Sequence, residues 1–407
     1  MANIAVLGYG TVGSGVVKVI QTNQTIVNKR AGEEINVKYV LDLREFEGDP
    51  VQKILVHDYN VILEDDDVQI VVETMGGVEP AHTFVKQALE RGKSACTSNK
   101  EMVAKHGAEL IQIAKEHNAN FFFEASVGGG IPIIRPLTTS LTCDDITEVY
   151  GILNGTTNYI LTKMRDNGAA FEDVLKEAQE LGYAERNPEA DVEGYDACRK
   201  IAILSSLVCG QQVDYEDIYT EGITNITEKD FEYAKAMNAS IKILGNYQRV
   251  DGKAYAMVAP MMISEQNPLY HVNDVFNAIM VHGNMVDDVM FYGRGAGKEA
   301  TASAVVSDVV DEVKNLGNPV MQIWEADKLE LGKFEDWKHK FFVRVKAGNV
   351  CNEKKAVIED LFGTVKYVSV DSAADEVAFV TEEIAEGRFK ELSAKLQDII
   401  SVIRVSF

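Results

Sequence analysis

The 407-residue sequence predicts an α/β protein that has a doubly wound parallel sheet, then an α+β region, then a small C-terminal module. Three observations predict this organisation. Short apolar runs alternate with amphipathic stretches through about the first 125 residues, which is typical of βαβ units. Three glycines and a proline at 128–132 break that alternation, and helices stand beside consecutive strands after them. From residue 341 the predicted order of elements is βαββαβ.

The parallel sheet is predicted from five apolar runs, Ile4–Leu7, Ile35–Leu41, Val68–Glu73, Ser94–Thr97 and Ala119–Glu124. Helices are predicted between them, one beginning near Val12, one from Pro80 to before Gly92, and one from Glu101 to about His117. A proline suits the first turn of a helix and a glycine its end. Pro80 and Gly92 therefore mark the two ends of the second predicted helix.

The turn between the first strand and the first helix matches G-x-G-x-x-G, the fingerprint of a Rossmann-type dinucleotide site. In such a site the glycines permit a tight turn, close approach of a pyrophosphate, and packing of helix on strand. The helix N-terminus offers free N–H groups to the phosphates. The alternative is a glycine-rich turn without a ligand. The residues of this motif are Gly8, Tyr9, Gly10, Thr11, Val12 and Gly13.

The end of the second strand bears on the choice between NAD and NADP. A carboxylate there binds the ribose 2′-hydroxyl of NAD, whereas a nearby cation accommodates the 2′-phosphate of NADP. The sequence offers both, Asp42 and then Arg44, so NAD(H) and NADP(H) both stay open.

In the α+β region, helices are predicted at about Phe171–Leu181 and Asp191–Val208. Strands are predicted at Ile146–Leu153, Ala254–Ile263, Val275–His282 and Val289–Tyr292. One face of this layer could bury helices or a second subunit. The acidic stretch after it predicts a linker with some helix.

The C-terminal module is predicted from strands at Phe341–Lys346, Val365–Val370, Glu376–Thr381 and Val402–Phe407, with helices at Asn352–Leu361 and Arg388–Ile399. The predicted domains are a dinucleotide-binding domain at 1–130, completed by about 295–320, and a substrate-binding and dimerisation domain at 131–294. A linker at 321–340 and the module at 341–407 follow.

Composition excludes several classes of protein. Hydrophobic residues make up 46% and charged residues 25%, enough for a large core, so a disordered chain is excluded. The net charge of −23 argues against nucleic acid and an anionic membrane surface as partners. The cysteines are widely spaced, without C-x-x-C, and H-E-x-x-H is absent, so we expect no zinc site. We expect reduced thiols in a cytoplasmic protein, without a signal peptide or membrane span.

Two lysines are candidates for catalysis. Lys100 follows the predicted strand Ser94–Thr97, and ligands of doubly wound sheets sit beyond the carboxyl ends of strands. Asp196 and Lys200 are four residues apart on a predicted helix and share a face that leads into an apolar run. A lysine at the border of a core is partly desolvated and fits general acid–base work. The alternatives are an exposed lysine at a helix start and an ordinary ion pair on a solvated face.

The motifs along the chain resemble, in order, those of the homoserine dehydrogenase family. The longest, GYAERNPEADVEGYDACRKIAIL at 182–204, is the most specific to that family. The others are GYGTVG at 8–13, ETMGG at 73–77, TSNK at 97–100, EASVGGGIPII at 124–134, NGTTNYI at 154–160 and GRGAGKEATASAVVSD at 293–308.

The resemblance implies reversible NAD(P)-dependent oxidation of L-homoserine to L-aspartate 4-semialdehyde, in the biosynthesis of threonine, methionine and isoleucine. It implies that Lys200 is the acid–base lysine and that Lys100 lies beside the substrate and the nicotinamide. It also implies that Glu185 binds the substrate ammonium and that the protein is a homodimer or homotetramer. The other implied residues are Thr156, Tyr183, Asp191 and Asp196 for the substrate, Thr74 and Gly297 for the cofactor, and Glu124, Val127, Gly129 and Ile131 for a sodium ion held mainly by backbone carbonyls.

The C-terminal βαββαβ order resembles the ACT-like, amino-acid-binding modules that often follow this catalytic unit. Their first-loop motif, D-x-P-G, is missing at 346–352, so threonine binding and a structural or dimerising role are equally open. Two rival functions also stay open. One is a dehydrogenase for another small amino or hydroxy acid, and the other is a non-catalytic NAD(P)-binding redox sensor.

Overall fold

The computed structural model describes residues 1–348 and 350–407; Asn349, in the loop that lacks D-x-P-G, lies outside the described residues. The N-terminal sheet is parallel throughout, in the order β3-β2-β1-β4-β5-β6. Its strands are β1 (Ala2–Leu7), β2 (Ile35–Leu41), β3 (Leu55–Val56), β4 (Val68–Glu73), β5 (Ser94–Thr97) and β6 (Phe121–Phe122). This strand order confirms the predicted Rossmann-type doubly wound sheet.

The helices of this domain lie between those strands: α1 (Thr11–Thr22), α2 (Gln24–Ala31), α3 (Asn60–Leu63), α4 (Ala81–Glu90) and α5 (Lys100–Glu116). The predicted strand Ala119–Glu124 is too long, because only Phe121–Phe122 pairs with β5. Beyond it, the N–H of Glu124 donates to the buried carboxylate of Asp308 at 2.9 Å and the chain turns into a 3-10 helix, Glu124–Ser126.

The remaining strands lie in the second half of the chain. They are β7 (Ile146–Ile152), β8 (Gln211–Gln212), β9 (Tyr219–Thr220), β10 (Ala239–Val250), β11 (Lys253–Ser264), β12 (Phe276–Gly283), β13 (Asp287–Arg294), β14 (Glu325–Lys328), β15 (Lys338–Lys346), β16 (Val365–Val368), β17 (Glu376–Thr381), β18 (Ile384–Ala385) and β19 (Ile399–Val405). All but β8 and β14, which pair with each other, form one mixed sheet. Its order is β13-β12-β7-β10-β11-β19-β15-β17-β16, with β9 beside β11 and β18 beside β15.

The helices of this half are α6 (Gly155–Asn167), α7 (Phe171–Glu180), α8 (Glu189–Val192), α9 (Tyr195–Cys209), α10 (Glu228–Ala236), α11 (Lys298–Lys314), α12 (Cys351–Phe362) and α13 (Glu386–Ser393). The single helix predicted at Asp191–Val208 is wrong, because the chain breaks it into α8 and α9. Gly194 between them has a φ of +84°, a conformation that side chains with a Cβ rarely adopt.

Helix α11 returns to the first domain and packs against α1. The two helices are so close that a Cβ on Gly15 would lie 2.9 Å from the Cβ of Ala302. Residues near position 300 therefore pack against the N-terminal parallel-sheet region; the predicted domain at 1–130, completed by about 295–320, stays a prediction.

The predicted linker 321–340 lies against the body of the protein. It contains β14 and one 3-10 turn, Phe334–Asp336, and its two tryptophans, Trp324 and Trp337, are buried. After it come β15, α12, β16, β17, the two-residue strand β18, α13 and β19, so the observed order differs from the predicted βαββαβ only by the added β18. Since β19 pairs with β11, this module extends the sheet of the preceding domain. Its relation to ACT-like domains stays a prediction.

Over the described ranges, the helices are too short or too polar to cross a bilayer.

Candidate active site

A cleft of about 450 Å³ separates the carboxyl edge of the parallel sheet from α6, α8 and α9. Both halves of the chain line it. The predicted site residues among its lining are Val12, Lys100, Val127, Gly129, Thr156, Tyr183, Asp191, Asp196, Lys200 and Gly297. The fold therefore brings together residues that are up to 285 positions apart (297 − 12). This is where ligands of doubly wound sheets bind.

Lys100 and Lys200 meet on one carboxylate. The Nζ of Lys100 lies 2.7 Å from Oδ1 of Asp196, and the Nζ of Lys200 lies 2.7 Å from Oδ2. Lys200 also donates to the carbonyl oxygen of Leu153 at 2.8 Å. An ammonium group has three donors, so one N–H of Lys200 stays without an acceptor among the residues that the structure describes.

Burial and charge act in opposite directions on these groups. Burial alone raises the pKa of Asp196, but Lys200 and Lys100 outweigh it and hold that pKa well below its usual range. Burial alone lowers the pKa of Lys100, but Asp196 and Asp191 outweigh it and leave that pKa raised. Burial, reinforced by Asp196, raises the pKa of Asp191. The cleft thus holds one ionised carboxylate, that of Asp196, between the side chains of Lys100 and Lys200, and it keeps Lys100 charged.

Asn154 is a member of this group that sequence reasoning missed as a site residue. Its Nδ2 donates to Asp191 at 2.7 Å and to Asp196 at 2.9 Å, while its Oδ1 caps α6 by accepting from the N–H of Thr157. One amide therefore sets the start of a helix and the position of two carboxylates. The signal was its place before Gly155-Thr156-Thr157, which is typical of an N-cap.

A second missed residue, Glu73, supports the start of α5. Its buried carboxylate accepts from the hydroxyl of Thr97 and from the N–H of Met75 at 2.6 Å. The hydroxyl oxygen of Thr97 accepts from the N–H of Asn99, which caps α5 through Met102. Burial raises the pKa of Glu73. This chain of bonds positions Lys100, the first residue of α5.

The glycine turn has the geometry that a dinucleotide site needs. Gly8 has a φ of +92°, and a Cβ on Gly13 would lie 1.9 Å from the carbonyl oxygen of Gly8. A Cβ on Gly10 would have no neighbour within 4 Å, so the backbone there is open to a ligand. Thr74 donates its hydroxyl to the carbonyl oxygens of Leu7 and Gly8, each at 3.0 Å, and so braces the turn from β4.

At the end of β2, Asp42 and Arg44 are paired with each other. The carboxylate of Asp42 accepts from the guanidinium of Arg44 at two atoms and from the N–H of Tyr9 at 2.8 Å. The bonds from Arg44, which outweigh burial, hold the pKa of Asp42 well below its usual range. Both groups that could read the ribose are thus present at the predicted place.

Two other predicted substrate residues, Tyr183 and Glu185, lie in the segment 181–189, and a third, Thr156, contacts it. Thr156 donates its hydroxyl to the carbonyl oxygen of Tyr183 at 2.6 Å, and both line the cleft. Glu185 is exposed and is not in the cleft lining, so its role in binding an ammonium group stays a prediction.

The backbone at 124–131 bears on the predicted sodium site. The carboxylate of Glu124 accepts from three backbone N–H groups, those of Ile133, Ile134 and Arg135. The carbonyl oxygens of Val127, Gly129 and Ile131 accept no hydrogen bond from any residue that the structure describes. Carbonyl oxygens are ligands of the kind that hard cations take, and the sodium site stays a prediction.

Comparison with known proteins shows similarity along the whole chain. Family models described as "Homoserine dehydrogenase, NAD binding domain" and "Homoserine dehydrogenase" match residues 8–124 and 132–310. A homoserine dehydrogenase of Synechocystis is 38% identical, over 99% of both chains. One of Bacillus subtilis is 44% identical over 77% of this chain and 73% of its own.

Solved structures agree. The crystal structure of a homoserine dehydrogenase from Thiobacillus denitrificans superposes with a TM-score of 0.91 at 34% identity, covering 100% of this chain and 98% of that one. A hyperthermophilic archaeal homoserine dehydrogenase in complex with NADPH has a TM-score of 0.66 at 28% identity, covering 79% of this chain and 99% of that one.

Proposed function

The chain belongs to the homoserine dehydrogenase family, and on that premise we propose that Lys200 is the acid–base group of its reaction and Lys100 its cationic partner. The enzyme interconverts L-homoserine and L-aspartate 4-semialdehyde with NAD(P)(H), in the biosynthesis of threonine, methionine and isoleucine. Neither a dehydrogenase for another acid nor a redox sensor is favoured. The observation that carries the proposal is the single carboxylate, Asp196, that both ammonium groups contact at 2.7 Å.

The two lysines supply what this chemistry needs from the protein. When homoserine is oxidised, its hydroxyl proton must leave, and an uncharged Lys200 accepts it; in the reverse direction the ammonium donates it. Lys100 adds positive charge where negative charge develops on the substrate oxygen. When bound, the nicotinamide supplies the hydride acceptor or donor.

The remaining residues bind and orient. We expect the N–H groups at the start of α1, opened by Gly10, to hold the pyrophosphate. Asp191 and Glu185 offer negative charge for the substrate ammonium, and Thr156 and Tyr183 bound the cleft on that side. For Glu185 this requires the loop 182–189 to move toward the cleft when substrate binds.

Three finer statements belong to the same proposal. A sodium ion at the carbonyls of Val127, Gly129 and Ile131 would tie the two halves of the chain together. A second copy of the chain would cover the edge strand β13, where Met290 and Tyr292 are exposed. The five free cysteines fit the reducing cytoplasm. Light scattering would report the oligomeric state, and omission of sodium would report the ion's effect on rate.

The test is a steady-state assay of aspartate semialdehyde reduction with NADH and NADPH, each with and without threonine. We expect Lys200→Ala to lose at least about 10²–10⁴-fold in kcat while it binds NADPH normally. Lys200→Arg keeps the charge but cannot give up its proton, so it should be nearly as slow. A kcat near that of the wild type in Lys200→Ala would refute the role.

A further inference from the structure

Two imidazoles and one carboxylate lie together where α4 meets α5, outside the cleft. His82 is in the first turn of α4, while His106 and Glu109 are one turn apart on α5. One ligand atom from each lies within 4.8 Å of the other two. The two rings stack with centroids 3.9 Å apart. The reaction proposed above uses none of these groups.

The nitrogens of both rings point at the same oxygen. His82 Nε2 lies 3.2 Å, and His106 Nδ1 3.3 Å, from Oε2 of Glu109. Ligands on a tetrahedral Zn²⁺ with bonds of about 2.0–2.1 Å are about 3.3 Å apart. Two of the three distances among these atoms, those from each nitrogen to Oε2, therefore match the spacing of ligands around one metal ion, and the two nitrogens lie within 4.8 Å of each other.

The surroundings prepare His82 to act as a ligand. Its other nitrogen, Nδ1, lies 3.2 Å from the carboxylate of Glu79. A neutral imidazole has one N–H, and if Nδ1 carries it toward Glu79, the lone pair of Nε2 faces Glu109 and His106. A carboxylate behind a histidine in this way is the usual support of a metal ligand.

The charges nearby also permit a cation. Lys86 donates to Oε1 of Glu109 at 2.7 Å and leaves Oε2 to the imidazoles. With neutral rings, the two carboxylates of Glu79 and Glu109 balance the two lysine charges nearby, those of Lys86 and of Lys105, which acts on His106. The side chains of His82, His106 and Glu109 are 13%, 22% and 39% exposed, so an ion and its waters can enter.

We propose that His82, His106 and Glu109 bind a divalent transition-metal ion of the zinc class, with water in the remaining position. Two histidines and one carboxylate are a donor set that zinc uses. The sequence, which lacks C-x-x-C and H-E-x-x-H, predicted no zinc site, because this group forms only when two helices pack together. The ion would join α4 to α5 about 9 Å along the helix from Lys100, since His106 is six residues later. It would thus brace the helix that presents Lys100.

The experiment titrates Zn²⁺ alone into the untagged, chelator-treated chain by isothermal titration calorimetry. We expect one equivalent per chain. Each of His82→Gln, His106→Gln and Glu109→Gln should weaken binding about tenfold or more, and the double histidine variant should abolish it. His282→Gln is the matched control, because His282 lies beside Asp287 and Asp288 but has no second imidazole. The His282→Gln variant should still bind one equivalent of Zn²⁺ per chain.

Two further readouts separate metal loss from misfolding. Without metal, His82→Gln and His106→Gln should keep the circular dichroism spectrum and the kcat of the wild type. Added Zn²⁺ should raise the unfolding midpoint of the wild type and of His282→Gln only. Equal uptake by the wild type and the double histidine variant, or no uptake by the wild type up to about 100 µM Zn²⁺, would overturn the proposal.

Discussion

Replacing Asp196 by asparagine removes the charge that holds Lys100 and Lys200 together and changes almost nothing in shape. Each ammonium nitrogen is 2.7 Å from an oxygen of that carboxylate, a gross attraction of about 6 kcal/mol per pair at an effective dielectric constant of about 20. Desolvation offsets much of this, and removing one partner of a buried pair costs about 3–5 kcal/mol. Because Lys100 is 35% exposed, we expect the lower end, about 3 kcal/mol.

Urea unfolding at pH 7 and one protein concentration measures this cost. This cost should come from two ammonium groups left without a counter-charge. The double variant Asp196→Asn, Lys100→Met should then lose less unfolding free energy than the sum of the losses of the two single variants, by about 1 kcal/mol or more. An unfolding free energy for Asp196→Asn within about 0.5 kcal/mol of the wild type would refute the reasoning. So would additivity in the double variant.

The same variant predicts a pH dependence. The lysines lower the pKa of Asp196 in the folded protein, so its carboxylate adds stability that is fully present above its unfolded pKa of about 3.9. That contribution is lost as the pH falls through the folded value. The difference in unfolding free energy between wild type and Asp196→Asn should therefore be constant from pH 5 to 7 and narrow below about pH 4.

Four other changes have outcomes that the structure dictates. Gly13→Ala should unfold more easily by several kcal/mol, because its Cβ would overlap the carbonyl of Gly8, whereas Gly10→Ala should keep the unfolding midpoint and weaken NADPH binding in a fluorescence titration. Arg344→Met leaves the buried Asp230 and the partly buried Glu376 without their cationic partner, and should lose about 3–5 kcal/mol in urea unfolding. Burial lowers the pKa of Lys242 to about 7, so between about pH 7 and 10 the unfolded chain holds a proton that the folded one lacks. The unfolding free energy of the wild type should thus rise with pH between about pH 7 and 10, relative to that of Lys242→Met.

Each of these expectations has an outcome that contradicts it. Equal NADPH affinity in wild type and Gly10→Ala would exclude that loop from the cofactor site. An unchanged urea midpoint in Arg344→Met would mean that its two ion pairs contribute nothing net. Parallel pH profiles for wild type and Lys242→Met would place the titration of that lysine outside the window.

The parallel sheet and the edge where its ligands bind could be predicted from local sequence patterns. The bounds of β2, β4 and β5 were predicted to the residue, because buried parallel strands are short apolar runs between turn residues. The glycines at positions 8, 10 and 13 also predicted the dinucleotide-binding turn. Each of these positions has a backbone requirement that involves only neighbouring residues, so the requirement is visible as a short residue pattern.

Elements with weak local patterns were missed. Strand β10 alternates apolar and polar residues only over its first five positions, 239–243, and the rest of the strand, LGNYQRV, breaks that pattern. Helix α6 opens with glycine and two threonines, which are poor helix formers, and depends on the cap from Asn154. Both lie in the domain that carries Lys200, where packing between distant segments outweighs local preference.

The assembly of the site depends on packing between segments that are far apart in the sequence. The break at Gly194 separates Asp191 from Asp196 and lets one amide, that of Asn154, reach both. The distance between Lys100 and Lys200 depends on how α5 packs against α9, since the two helices are joined by a carboxylate rather than by sequence. Charged side chains interact through space. Their spacing along the chain therefore does not predict which distant side chains will lie next to each other once the core has packed.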